Sequence, residues 1–128
     1  MRVLVADVPE MQSRLTEILV GFELRFVSGM SSALKSLEVE QFDLLIVGLH
    51  FDESSMFELI EQARARKSTG ELPIVCIRGN RLRYGLSLDA FDPALRLLGA
   101  SECIDLRKYP DTLDGNGSVR RRILACMM

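Results

Sequence analysis

Short, nearly unbroken apolar runs alternate along the chain with longer stretches in which apolar residues recur every three or four positions. The runs occupy residues 3–6, 24–27, 44–47, 74–77 and 103–106. Blocks this short and continuous suit strands covered on both faces. Arg25 interrupts the second block, which suits an edge strand. Between the blocks the period changes. In residues 9–21, Met11, Leu15, Ile18 and Leu19 form one helical stripe, with Pro9 in the first turn and Gly21 as the stop. Ser31 or Ser32 is placed to cap a second helix carrying Ala33, Leu34 and Leu37. Ser54 or Ser55 is placed to cap a third, with Glu58 set for a capping box, running through Leu59, Ile60 and Ala63 towards Lys67 and Gly70. A fourth helix is expected over residues 86–98, with Gly99 as its stop. Pro93 marks either its start or a kink. The last helix, over residues 118–128, is short and basic. Residues 79–85 read as a loop, and residues 107–117, ending in Gly115-Asn116-Gly117, as a longer mobile one.

Five strand–helix repeats predict an α/β fold in which a parallel sheet carries helices on both faces. Right-handed crossovers make it a doubly wound, three-layer sandwich. A chain of 128 residues fits one domain spanning residues 1–128. Composition agrees: 48% of residues are hydrophobic and 27% charged, as in globular proteins. The formal net charge of -2 points to no nucleic acid and no membrane as partner. No apolar run approaches the roughly 20 residues of a membrane span, and the chain opens directly into Val3-Leu4-Val5, without a signal-peptide pattern. A cytoplasmic location is expected. Cys76, Cys103 and Cys126 lack paired spacing, so buried thiols are expected rather than a disulfide framework or zinc site.

In a doubly wound sheet, ligands bind at the carboxyl ends of the strands. The residues to inspect are therefore Asp7-Val8, Gly48 with the following His50, Asp52 and Glu53, Arg78-Gly79-Asn80, and Leu106-Arg107-Lys108. No glycine-rich phosphate loop follows the first strand, which disfavours a dinucleotide site. His50, the only histidine, has no carboxylate beside it in sequence to orient it as a base or phosphoryl carrier.

These positions also carry a resemblance. Arg2-Val3-Leu4-Val5-Ala6-Asp7, Phe42-Asp43-Leu44-Leu45-Ile46-Val47, Leu72-Pro73-Ile74-Val75 and Gly99-Ala100-Ser101 resemble, in order and spacing, the receiver domains of two-component response regulators. The resemblance implies a flavodoxin-like sheet with strand order 2-1-3-4-5. In that family two acidic residues after the first strand help hold Mg²⁺. An aspartate ending the third strand accepts a phosphoryl group, and a hydroxyl residue and a lysine contact its oxygens. Carboxylates suit a hard octahedral ion, and the cations offset charge developing in transfer.

Asp7 matches the first acidic position, but Val8 replaces the second and Gly48 the acceptor. Arg78 stands at the hydroxyl position and Cys103 at the aromatic switch position. Leu106 stands at the lysine position, unless a two-residue slip brings Lys108 there. Asp7 alone is a weak remnant of a metal site, so no Mg²⁺, other cofactor or enzymatic activity is expected. Arg78 is expected either to pair with Asp7 near the lost metal position or to lie on the surface. The expectation is a degenerate receiver domain, a pseudo-receiver, acting through protein partners, with a homodimer as one form. The excess of apolar residues in the last helix, Val119, Ile123, Leu124, Ala125, Met127 and Met128, favours such a contact surface. Two other expectations stand beside it. One is a receiver with a displaced acceptor, Asp52 or Glu53. The other is a small-molecule sensor using a crevice opened by Gly48 and Gly79.

Overall fold

The computed structural model describes residues 1–79 and 88–127. Most of the expected loop over residues 79–85, the first two residues of the expected fourth helix, and Met128 lie outside the described residues. Five strands, β1 (Arg2–Ala6), β2 (Glu23–Val27), β3 (Leu44–Gly48), β4 (Ile74–Arg78) and β5 (Glu102–Asp105), form one sheet. All pair in parallel, in the order β2-β1-β3-β4-β5. The helices are α1 (Gln12–Ile18), α2 (Met30–Val39), α3 (Met56–Ala65), α4 (Asp92–Leu98) and α5 (Leu113–Ala125).

Strand side chains alternate between two cores. Leu4, Ala6, Leu45, Val47, Ile74 and Cys76 pack with Ala33 and Leu37 of α2, Leu59, Ile60 and Ala63 of α3, and Leu95 of α4. Val3, Val5, Leu44, Ile46, Val75 and Ile77 pack with Leu15 and Ile18 of α1 and Val119 and Ile123 of α5. Both parities are buried, which is why β3 and β4 read as unbroken apolar runs. β2, at the edge, keeps only one strand neighbour and is the least buried, as Arg25 implied.

Where helices begin differs in part from the expectation. Residues Pro9–Met11 form a 3-10 turn before α1. α2 begins at Met30, so Ser31 and Ser32 lie inside its first turn. Its Met30 N–H is capped from across the molecule by the Asp52 carboxylate, at 2.8 Å. Ser55 precedes α3, but its hydroxyl donates to the Asp52 carbonyl rather than capping its own helix. Pro93 lies in the first turn of α4, and Gly99 closes that helix with φ of 119°.

The largest correction concerns residues 107–117. Leu106–Lys108 form a 3-10 turn, and α5 begins at Leu113, taking in Gly115-Asn116-Gly117. Thr112 caps it by accepting the Gly115 N–H. Gly115 packs so tightly that a Cβ there would lie 1.9 Å from the Pro110 carbonyl oxygen. Asn116 accepts from Arg14 at 3.0 Å and donates to Asp111 at 2.9 Å. Contacts, not local propensity, make these glycines helical.

Candidate functional site at the carboxyl ends of the strands

The expected crevice is filled by the protein's own side chains. Asp7 is 7% exposed, and its carboxylate lies directly over Gly48. A Cβ on Gly48 would sit 2.0 Å from the Asp7 carboxyl carbon and one of its oxygens. Oδ1 of Asp7 also accepts the Val8 N–H at 2.8 Å, which turns the carboxylate back onto its own strand end. Gly79 is filled likewise: a Cβ there would lie 2.2 Å from the Met11 sulfur. Gly48 and Gly79 therefore accommodate Asp7 and Met11 rather than opening a binding crevice.

Arg78 is not a surface residue. It ends β4 with 2% exposure and pairs in register with Asp105 of β5. Burial and the Arg107 charge draw its pKa below the ordinary value, with Asp105 opposing them. Asp105, itself 5% exposed, accepts from the Arg107 backbone and guanidinium, the shortest side-chain bond being 2.8 Å. Burial pushes its pKa up, but the Arg107 hydrogen bonds and the Arg107 and Arg78 charges outweigh it, so the carboxyl is held below its ordinary value. Leu106 is fully buried in the α1–α5 core. Lys108 lies beyond the strand, in the 3-10 turn, and bonds Asp89 at 2.5 Å. Leu106 and Lys108 thus share one 3-10 turn beyond β5, Leu106 buried in the core and Lys108 exposed. Cys103, 7% exposed, is the register partner of Cys76.

The loop after β3 has an unusual shape. Asp52, Glu53 and Ser54 all adopt positive φ, at 42°, 55° and 72°. Phe51, fully buried, anchors the loop on one side, and the Asp52 bond to Met30 ties it to α2. With His50, Val8, Pro9 and Ser28, these three residues line a cleft of about 420 Å³. Asp52 and Glu53 precede α3, which begins at Met56.

Arg14 went unnoticed in the sequence. Its guanidinium is buried and donates to the Asn116 side chain and to the carbonyls of Leu106, Tyr109 and Pro110, at 2.8–3.3 Å. It ties α1 to the segment linking β5 and α5. A signal was present: position 14 falls on the stripe set by Met11, Leu15 and Ile18, where a cation is out of place unless it has buried acceptors. In α5 the apolar excess is partly absorbed: Val119 and Ile123 are fully buried, while Met127 packs part-buried against the same core. Arg120 and Arg122 are engaged within the fold, on the Ile18 and Val20 carbonyls and on Glu102 respectively.

The donors at the strand ends do not fit a magnesium ion. Val8 and Gly48 offer no side-chain oxygen there, and the Asp7 carboxylate is folded onto Gly48. Among the described residues no group of three His, Cys, Asp or Glu side chains is placed to hold a metal. Nor is any described helix long and apolar enough to cross a membrane.

No family model matches the chain, and no curated protein matches it. Solved structures do. A response regulator from Hahella chejuensis is similar, with 24% identity and a TM-score of 0.71, covering 98% of this chain and 91% of that one. A response regulator from Thermotoga maritima has 16% identity and a TM-score of 0.73, covering 98% and 96%. The receiver domain of a sensor histidine kinase from Pseudomonas aeruginosa, which coordinates magnesium in its active-site cleft, has 15% identity and a TM-score of 0.73, again covering 98% and 96%. The chain has the receiver-domain fold, a flavodoxin-like five-stranded sheet in the order 2-1-3-4-5.

Proposed function

We propose that this chain is a pseudo-receiver: a receiver domain of two-component signalling whose phosphoryl-acceptor site is closed, and which signals through protein contact independent of phosphorylation. One observation carries the reading. Where receivers bear the acceptor, this chain has Gly48, and the space its side chain would occupy holds the Asp7 carboxylate. Loss of the acceptor alone would leave a gap, whereas here the neighbouring carboxylate fills it. Leu106 and Arg78 support the reading, since a buried leucine cannot offset phosphoryl charge and a buried arginine leaves no hydroxyl. On this reading the domain binds no Mg²⁺, has no enzymatic activity, and works in the cytoplasm with protein partners or a second copy of itself. Asp52 as a displaced acceptor is disfavoured because one of its carboxylate oxygens already caps α2.

The test is incubation with Mg²⁺ and acetyl phosphate, followed by intact mass measurement. The expected result is an unchanged mass. A phosphoryl adduct that disappears in Asp52→Asn, Glu53→Gln or Asp7→Asn would overturn the proposal and name the acceptor.

A further inference from the structure

Cys76 and Cys103 are register partners on adjacent parallel strands, point to the same face, and share the core beneath α4. Neighbouring strands lie about 4.8 Å apart. That places the two Cα atoms inside the roughly 4.4–6.8 Å window that a disulfide spans. Their side chains therefore leave the sheet side by side, into the same packing layer. We propose that Cys76 and Cys103 are a redox-modification site, a dithiol that a hydroperoxide oxidises to an intramolecular disulfide joining β4 to β5.

The two sulfurs differ in a way that orders the steps. Cys103 keeps 7% exposure while Cys76 has none, so a molecule as small as hydrogen peroxide meets Cys103 first. Cys76, with no exposed surface, lies beside Cys103 in register and takes the second, resolving position. The Cys103 sulfur attacks one peroxide oxygen. The O–O bond breaks, and Cys103 becomes a sulfenic acid as water leaves. The Cys76 sulfur then attacks the Cys103 sulfur. The S–S bond forms, the S–O bond breaks, and the departing hydroxide takes the Cys76 proton as a second water. Two electrons from the thiol pair thus reduce one peroxide to two waters. Cys126 does not compete for either sulfur, because it packs in the other core, across the sheet. The site does not depend on the pseudo-receiver reading.

The test treats the folded protein with a molar excess of hydrogen peroxide, then denatures and alkylates it for intact mass and peptide mapping. The expected product has lost two hydrogens, takes up one alkyl group where the reduced protein takes three, and yields one cross-linked peptide pair containing Cys76 and Cys103. Dithiothreitol restores all three thiols. Cys126→Ser still forms the bond, whereas Cys103→Ser and Cys76→Ser do not. The proposal is overturned if all three thiols remain alkylatable, if the linkage runs through Cys126, or if Cys103 proceeds to sulfinic acid with Cys76 still free. Serine is close to cysteine in size, and a circular dichroism spectrum matching the parent shows that each variant folds.

Discussion

The two ends of this sheet are built on different principles. At the carboxyl end, close packing rules: Asp7 lies on Gly48, Met11 on Gly79, and Arg14 spreads its donors over buried carbonyls. At the amino end the surface is open. Arg2 lies over the Phe42 ring at 5.2 Å and pairs with Glu23 and Glu40, while Arg25 also pairs with Glu40. Three clefts, of about 660, 420 and 540 Å³, meet at Phe42. In doubly wound folds the carboxyl end is where ligands bind. Among the described residues that end is largely occupied by the protein itself, and a cleft of about 660 Å³ lies at the other, against one of about 420 Å³ at the carboxyl end. The difference teaches that a protein's own side chains can occupy the end of the sheet where ligands usually bind. It also sets an order of energies: groups removed from the packed end cost far more than charges removed from the open one.

The largest effect is expected at Arg14. Replacing it with alanine leaves the carbonyls of Leu106, Tyr109 and Pro110 without their buried donor. Buried acceptors left unpaired cost about 1–3 kcal/mol each before water or relaxation compensates. A net loss of about 3 kcal/mol in urea unfolding is expected. Amide exchange should accelerate first at Gly115 and Asn116. Arg14→Lys should recover little, because an ammonium lacks the planar fork that reaches several acceptors at once. Loss comparable to that of an exposed arginine would break the contrast between the two ends.

Next in size is Gly48→Ala. The added methyl cannot coexist with Asp7 in its present position, and overpacking of this kind typically costs about 1–3 kcal/mol. Asp7→Gly in the same chain removes the obstruction, so the double variant should be more stable than Gly48→Ala alone. The pair should show a clear coupling energy in a double-mutant cycle. Additive effects would mean that Asp7 does not fill the acceptor position, and the proposed function would lose its main support.

How far this was legible in the sequence depends on which forces acted. The five strands were legible because burial on both faces leaves uninterrupted apolar blocks, as at Leu44–Gly48. Gly99 was legible because a positive φ at a helix end favours glycine. Gly48 at the end of β3 was legible, but not the Asp7 carboxylate packed over it, since that is a contact between two strand ends. Gly115-Asn116-Gly117 read as a loop because helix propensity is local, while the Pro110, Asp111 and Arg14 contacts that hold it helical are not. Arg78 was left between a pairing with Asp7 and a surface position, because no single strand shows that its end is covered by its neighbour.

A pH effect of intermediate size follows from Asp105. Its carboxyl is held below its ordinary value in the folded protein, by Arg107 and Arg78 against burial. A carboxyl with a depressed folded pKa binds its proton more readily when unfolded. Its stabilisation is therefore complete above the unfolded value of about 3.9 and is lost as pH falls through the lower folded value. The thermal midpoint should decline through that acidic window, and Asp105→Asn should flatten the decline while lowering the midpoint at neutral pH. An equal acid response in both proteins would show that the packed end does not hold this carboxylate charged.

The smallest effect belongs to the open end. Glu40 bridges Arg2 and Arg25, and the Arg2 hydrogen bond and both arginine charges lower its pKa against desolvation. Both arginines remain substantially solvent-exposed, at 37% and 52% of their side-chain surface. Water and salt already satisfy such charges, and holding long side chains in one geometry opposes the Coulomb gain. Glu40→Gln should therefore leave the urea midpoint within the scatter of repeated wild-type measurements, and raising the ionic strength should shrink any residual difference. If Glu40→Gln instead matched Arg14→Ala, the amino end would carry structural weight comparable to the packed end, and openness could no longer be read as energetic tolerance.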